Sequence, residues 1–271
     1  MFLPSINNKF KFLVNKILGL SSVDKFILMA VKHKLNNETI GQSAEYSICI
    51  NSNIKCYIDS TRINKIIVSR LNKLLKKDNI LHQLPSPITE SCGYKNGSVD
   101  FKLQNGKTLS LKTLRYKDGK VCPQKVGQPT LTSWDNIWKQ EWMGELDKNP
   151  ERWEFIKNNI HSYLNKMLQH TFCCDYLILF KNCLDKPEVL FYDRILLKEK
   201  LNYFTNQEII YTREQYQERW NEKKQKYSEM SSTIKTVISG EIITIGEFQF
   251  HKSSRKELKF RFYAKFLETL F

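Results

Sequence analysis

The sequence contains few of the residues and segments that mark linkers, membrane proteins and secreted proteins. With 10 glycines and 7 prolines in 271 residues, a flexible tether between domains is not expected. No apolar run approaches the roughly 18 residues that span a bilayer. The first twenty residues are interrupted by Pro4 and by several Asn and Lys residues, and they lack the apolar region and the cleavage site of a signal peptide. We therefore expect a soluble, cytoplasmic protein without a membrane partner.

The chain also lacks the short motifs of several enzyme classes. It contains no G-x-x-x-x-G-K-[ST], G-x-G-x-x-G, H-E-x-x-H or G-x-S-x-G, which argues against nucleotide-driven machines, zinc proteases and esterases. Its 7 cysteines are scattered without a C-x-x-C pair, and its 5 histidines lie far apart. A disulfide framework or a zinc site is therefore not expected, and the cysteines are interpreted as reduced thiols.

Positive charge, by contrast, is abundant. The chain has 43 Lys and Arg against 28 Asp and Glu, a formal net charge of +15. Such a charge attracts polyanions, above all nucleic acid. Because lysines occur throughout the sequence, the charge by itself leaves nucleic-acid binding open.

Apolar residues at helical spacing predict that the first 80 residues are mainly helical. In one of these helices, Ile67, Leu71 and Leu75 lie on one side, and the lysines of the helix lie outside that side. The helices are predicted over residues 23–34, 39–51, 61–77, 130–140, 150–168 and 213–229.

After Pro85 and Pro87 the apolar period changes from 3.6 to 2, which indicates strands. Residues 98–113 are predicted to form a hairpin around Asn105-Gly106. Residues 175–181 are apolar enough for a fully buried strand, with 189–192 as its neighbour. A second pair of strands is predicted at 242–251 and 258–266. The mixture of helices, buried strand and hairpins predicts an α/β or α+β fold.

The register of the central hairpin follows from its side-chain pattern. A two-residue loop would mix apolar and charged residues on both faces. A three-residue loop, with Gly106 in the left-handed conformation, places the apolar residues on one face and the polar residues on the other. In this register Leu103 pairs with Lys107, and Asp100 lies opposite Ser110 with Lys112 diagonally adjacent.

These polar residues are of the types that bind a metal ion and activate water. A carboxylate such as that of Asp100 can hold a hard divalent cation. A neighbouring lysine, here Lys112, can position or deprotonate a water molecule and offset charge on a phosphate. The alternative is an ordinary amphipathic hairpin whose polar face meets solvent.

The order Asp100, hairpin turn, Ser110-Leu111-Lys112 resembles the core motif of the PD-(D/E)xK nucleases. Asp100 matches the first acid and Lys112 the lysine, whereas Ser110 stands where the second acid normally lies. The resemblance implies a restriction-endonuclease-like fold, with a central mixed sheet flanked by helices and a helical N-terminal region. It also implies that the Leu111 carbonyl and another acid complete the metal site, Glu45 being the first candidate and Glu90 a weaker one.

The segment after Lys112 and the C-terminal strands resemble the DNA-contacting parts of type II restriction endonucleases. Cationic side chains suit contacts to phosphates, and Gln suits contacts to adenine. The candidate DNA contacts are Arg115, Lys117, Gln124, Lys125, Gln128, Gln249, His251, Arg255 and Arg261.

As a whole, the resemblance implies a type II restriction endonuclease that uses Mg2+ to cleave double-stranded DNA at a specific site. It implies one nuclease domain over residues 1–271, with a mainly helical region at 1–82 and the catalytic core and recognition elements at 83–271. A homodimer and a paired DNA methyltransferase are expected partners. Two alternatives stay open: another nuclease of the PD-(D/E)xK type, for repair or mobile-element work, and a non-catalytic basic nucleic-acid-binding protein.

Overall fold

A computed structural model of the chain describes residues 35–93, 99–123, 149–221, 225–251 and 257–270. Its α-helices are α1 (Asn37–Asn51), α2 (Lys65–Lys77), α3 (Asn149–Asn158), α4 (Ile160–Thr171), α5 (Arg194–Leu197) and α6 (Ala264–Leu270). Its strands are β1 (Ile88–Ser91), β2 (Phe101–Leu103), β3 (Thr108–Thr113), β4 (Lys120–Val121), β5 (Tyr176–Lys181), β6 (Glu188–Asp193), β7 (Ile209–Asn221), β8 (Gln225–Ile238), β9 (Glu241–His251) and β10 (Glu257–Tyr263). Short 3-10 segments cover Ser60–Arg62, Ile80–Gln83 and Lys198–Asn206.

The two helices before the first strand begin at asparagine caps. The side chain of Asn36 accepts a hydrogen bond from the Thr39 amide of α1, and that of Asn64 accepts from the first amides of α2. The predicted apolar stripe of α2 is buried at Ile67, Leu71 and Leu75. The prediction of a helix over 61–77 is therefore confirmed, although the regular helix begins at Lys65.

The first sheet has five strands in the order β1-β2-β3-β5-β6 and is mixed. Strands β3 and β5 run parallel, and every other pair in this sheet is antiparallel. All six residues of β5 are buried, as the apolar run predicted. One face of the sheet packs against α1 and α2, and the opposite face, through Leu177 and Leu179, packs against α4. The described part of the chain is thus a mixed α/β structure whose mixed sheet is flanked by helices.

The predicted register of the central hairpin is confirmed. Phe101 pairs with Leu109, and the Leu103 amide donates a 2.9 Å hydrogen bond to the Lys107 carbonyl. The loop therefore contains three residues, with Gly106 at a φ of 80°. Glycine adopts this conformation without the steric cost that a Cβ brings. Asp100 and Ser110 consequently lie opposite each other.

The second sheet is antiparallel, in the order β4-β10-β9-β8-β7. The rings of Phe248 and Phe260 lie 4.6 Å apart, and Phe260 and Phe262 meet edge to face at 4.7 Å. All three are fully buried against α4 and share a core with Leu177 and Leu179 of the first sheet. The two sheets and α4 therefore form one continuous hydrophobic core.

The prediction of a charged helix over 213–229 is wrong. The described residues of this range, 213–221 and 225–229, belong to the long antiparallel strands β7 and β8, which pair from Ile209 with Thr236 to Asn221 with Gln225. Tyr216 and Trp220 are four residues apart, a spacing that fits both a helical and an extended period. Antiparallel pairing of β7 with β8 selects the extended form, and β8 continues from Glu229 to Ile238 as the neighbour of β9.

Three further differences concern element boundaries. The strand predicted over 258–266 ends at Tyr263, and α6 follows it. The helix predicted over 150–168 is divided at Asn159 into α3 and α4. The helices predicted at 23–34 and 130–140 lie outside the described residues. Within the described residues, no helix is long and apolar enough to cross a membrane.

Candidate active site

Asp100 immediately precedes β2, and residues of β3 hold its carboxylate. Its Oδ2 accepts a 2.6 Å hydrogen bond from the Leu111 amide and a 3.1 Å hydrogen bond from the Ser110 hydroxyl. In an antiparallel pair the N–H and C=O of one residue point to the same side. The Leu111 carbonyl is therefore directed to the same edge of β3 as the Asp100 carboxylate.

Glu45 reaches this edge from α1. Burial raises its pKa to about 7, repulsion from Asp100 adds to the rise, and Lys112 opposes it. Gly93, just after β1, lies against the Glu45 carboxylate, and a Cβ at this position would overlap it. The absence of a side chain at Gly93 thus leaves the space that the Glu45 carboxylate occupies.

The Asp100 carboxyl is perturbed in the same direction. Burial raises its pKa above the usual range, while the Leu111 amide, Lys112 and the Ser110 hydroxyl each act to lower it. Two half-buried carboxylates that repel each other next to a single lysine form a site of high electrostatic cost. A cation between them would relieve that cost.

Lys112 lies on the same face of β3 as Ser110, because residues two apart in a strand share a face. Its charge acts on the titration of Glu45 and Asp100. The structure therefore brings together Glu45 of α1, Asp100 just before β2, and Ser110 and Lys112 of β3. Glu90, the weaker candidate, forms instead a cross-strand ion pair with Lys102.

The donor set of this site suits a hard cation. Two carboxylates and a backbone carbonyl are oxygen ligands, and Mg2+ is commonly held by one or two carboxylates together with substrate phosphates and water. Among the described residues no group of three or more His, Cys, Asp or Glu side chains could hold a metal ion.

Sequence reasoning missed the thiols that border this site. A hydrogen bond to Cys174 lowers the pKa of Cys173 to about 6 against the effect of burial, and Lys112 contributes in the same direction. The charge of Lys112 also acts on Cys122, whose pKa burial raises. The adjacent pair Cys173-Cys174, immediately before β5, was the sequence signal that could have indicated thiols at the site.

The candidate DNA contacts, unlike the candidate catalytic residues, do not lie together in one site. Arg115 is half-buried, with its guanidinium over the Tyr116 ring, and Lys117 is exposed. Gln249 is half-buried on β9 opposite Lys259, and His251 is the last residue of that strand. The remaining candidates Gln124, Lys125, Gln128 and Arg255 lie outside the described residues.

Arg261 is engaged within the second sheet. Its guanidinium forms an ion pair with Glu247, which also binds Lys120. Burial acts to raise the pKa of Glu247, but the hydrogen bond from Lys120 and the charge of Arg261 hold it below its usual range. A contact of Arg261 with DNA would therefore either replace the ion pair with Glu247 or form in addition to it.

Comparison with known proteins points to one enzyme class. The chain is similar to the type II restriction enzyme CviAII of Paramecium bursaria Chlorella virus 1, with 28% identity over 241 residues. The aligned part covers 88% of this chain and 61% of the relative. No family model matches the chain, and no solved structure matches it.

Proposed function

We propose that this protein is a type II restriction endonuclease, which hydrolyses phosphodiester bonds of double-stranded DNA at a short specific site with Mg2+. The observation that carries the proposal is the meeting of Glu45, Asp100 and Lys112 beside the central strand β3 of the mixed sheet. The similarity to CviAII supports the class of enzyme. The order of Asp100, Ser110 and Lys112 on the hairpin supports a variant PD-(D/E)xK site.

In this proposal Asp100, Glu45 and the Leu111 carbonyl would hold a Mg2+ ion. The ion would supply Lewis-acid stabilisation of the phosphate and a more acidic water. The Leu111 amide and the Ser110 hydroxyl both bind Oδ2 of Asp100, so they fix the orientation of this carboxylate. The Lys112 ammonium orients the attacking water and offsets the negative charge that develops on the phosphate.

Plasmid cleavage with and without Mg2+ tests the proposed function. Discrete fragments that require Mg2+ are expected, and sequencing their ends would give the recognition site. A smear would indicate a nuclease without site specificity. An intact plasmid, with DNA binding retained, would instead indicate a non-catalytic nucleic-acid-binding protein.

Ser110→Ala is expected to lower the cleavage rate by only about tenfold or less. The Ser110 hydroxyl is buried and donates to an Asp100 oxygen that the Leu111 amide also binds, so one of two orienting contacts remains. A hydrogen bond to a charged group typically contributes about 1.5 to 3 kcal/mol, and the remaining Leu111 contact keeps the expected loss at the lower end of this range. Single-turnover cleavage at saturating Mg2+ measures the effect. A loss as large as that caused by removal of Asp100 would show that Ser110 itself acts in the reaction.

A homodimer on the DNA is the expected assembly. A palindromic duplex site has two-fold symmetry, and two copies of one site, each aimed at one strand, match it most simply. Sedimentation with a cognate duplex is expected to give two chains per duplex. One chain per duplex at saturation, with the two strands cut in sequence, would exclude the dimer and leave the site assignment intact. A DNA methyltransferase that protects the same site is the other expected partner.

A further inference from the structure

The solvent side of α2 carries a row of lysines that the candidate active site does not use. Lys65, Lys73 and Lys76 are exposed. Together with Ser69 and Asn72 they recur at intervals of three or four residues, so they share one stripe of the helix. This stripe lies away from the buried residues Ile67, Leu71 and Leu75.

The same five residues line an open groove between α2 and α1. The groove has a volume of about 500 Å³. Its other lining residues are Tyr46 of α1, Ser60, Ile63 and Val68. We refer to it as the α1–α2 groove. None of its lining residues is acidic, so the three ammonium groups meet no carboxylate among them.

Helix stability accounts for only one lysine of this row. Lys65 is the first residue of α2, and the first turn contains no acidic residue. A cation at this end opposes the helix dipole. Lys73 and Lys76 are three residues apart, where like charges destabilise a helix. Lys76, in the last turn, interacts favourably with the helix dipole. A polyanion would relieve the repulsion in the row.

Arg70 on the same helix has a different role. Its guanidinium donates hydrogen bonds to the carbonyls of Leu184 at 3.4 Å and Asp185 at 3.1 Å. It therefore fastens α2 to the loop after β5. For this reason we do not count it among the groove cations.

The α1–α2 groove and the candidate active site both include a residue of α1. Tyr46 lines the groove, and the preceding residue, Glu45, belongs to the site. Adjacent residues on a helix are separated by about 100°, so the groove and the site lie on neighbouring faces of α1. Lys76 lies eleven positions after Lys65, about 16 Å along the helix. This length corresponds to about five nucleotides along one strand of B-DNA.

We propose that the α1–α2 groove binds the backbone phosphates of duplex DNA that continues beyond the segment held at the active site. This inference rests on the proposed function, since it assigns one contact surface of the same substrate. Lysine ammonium groups, the Ser69 hydroxyl and the Asn72 amide are all common phosphate ligands. They recognise the backbone and carry no base specificity.

The test compares two triple variants with the same change in charge. Lys65→Gln, Lys73→Gln and Lys76→Gln remove the groove cations. Lys77→Gln, Lys186→Gln and Lys198→Gln remove three exposed lysines outside the groove. Binding to a labelled 30-base-pair duplex is measured by fluorescence anisotropy in EDTA, over a range of salt concentrations, with the full chain.

The groove variant is expected to reduce the slope of log K against log salt by about 2 to 3, since each lost phosphate contact contributes about 0.9. The control variant is expected to change the slope by less than 1. Equal changes of the slope in both variants would show that only the total charge matters, and would overturn the proposal. An unchanged slope in both variants would overturn it as well. Tighter binding of single-stranded RNA than of the duplex, lost only in the groove variant, would overturn the assignment to duplex DNA.

Plasmid cleavage separates this proposal from the proposed function. If the wild-type chain cleaves DNA with Mg2+ but the groove variant keeps the wild-type salt slope, only the groove assignment fails. If the wild-type chain neither cleaves nor binds duplex DNA, the proposed function fails and the groove assignment fails with it. Circular dichroism of both variants checks that α2 remains folded.

Discussion

Lys112→Gln and Asp100→Asn are each expected to lower the rate of Mg2+-dependent DNA cleavage by at least about 100-fold while the chain stays folded and binds duplex DNA. Loss of one preorganised group that stabilises developing charge typically has an effect of this size. The Lys112 ammonium is half-buried beside two carboxylates, where a charge acts more strongly than it does in water. Asparagine at position 100 cannot supply the negative charge that a cation requires.

Two matched variants serve as controls for this prediction. Lys102→Gln removes an exposed lysine from the neighbouring strand, and Asp118→Asn removes an exposed carboxylate from the loop after β3. Both are expected to cleave within about threefold of the wild-type rate. Cleavage by Lys112→Gln or Asp100→Asn at the rate of these controls would contradict the assignment of the hairpin as the catalytic site.

Glu45→Gln is expected to abolish cleavage and, in EDTA, to stabilise the protein at alkaline pH. The pKa of Glu45 is raised from 4.5 to about 7 in the fold. Its contribution to stability is therefore fully present below pH 4.5 and is lost as the pH rises through 7. Above that pH the ionised carboxylate opposes folding, and glutamine removes this penalty. The expected gain in the free energy of unfolding at pH 8.5 is on the order of 1 to 3 kcal/mol.

Urea unfolding at pH 4.5 and pH 8.5, with EDTA present, measures this effect. The difference between Glu45→Gln and the wild type is expected at pH 8.5 and should nearly vanish at pH 4.5. Addition of Mg2+ at pH 8.5 is expected to stabilise the wild type more than the variant, because the ion needs the ionised carboxylate. Glu38→Gln, an exposed position on the same helix, should show neither effect. A stability difference that is independent of pH would refute the buried, perturbed state of Glu45.

The central hairpin shows how far local sequence information reaches. Its alternation of apolar and polar residues, with a glycine at the third loop position, was enough to predict that Asp100 lies opposite Ser110. A shift by one residue would have exposed every apolar side chain of the hairpin, so a single register was compatible with burial. The apolar run of β5 was enough to predict a buried strand, because apolar residues on both faces of a strand require burial of both faces.

Residues distant in sequence required the tertiary structure. Resemblance to a nuclease family suggested Glu45, but no spacing rule joins a residue of α1 to Asp100, which lies 55 positions later. The raised pKa of Glu45, the glycine at position 93 that makes room for its carboxylate, and the thiols of Cys173 and Cys174 near Lys112 depend on packing between elements. The ion pair of Arg261 with Glu247 likewise follows from the register of β9 and β10.

By itself, the sequence determined the hairpin register, the buried strand β5, the helix α2 and the positive net charge, because neighbouring residues and simple periods specify these features. Only the tertiary structure decided that residues 213–221 and 225–229 are strands, because a spacing of four fits both helix and strand and the pairing of β7 with β8 makes the choice. Only the tertiary structure brought Glu45 beside Asp100, because contacts between distant segments depend on how helices and sheets bury their apolar faces together.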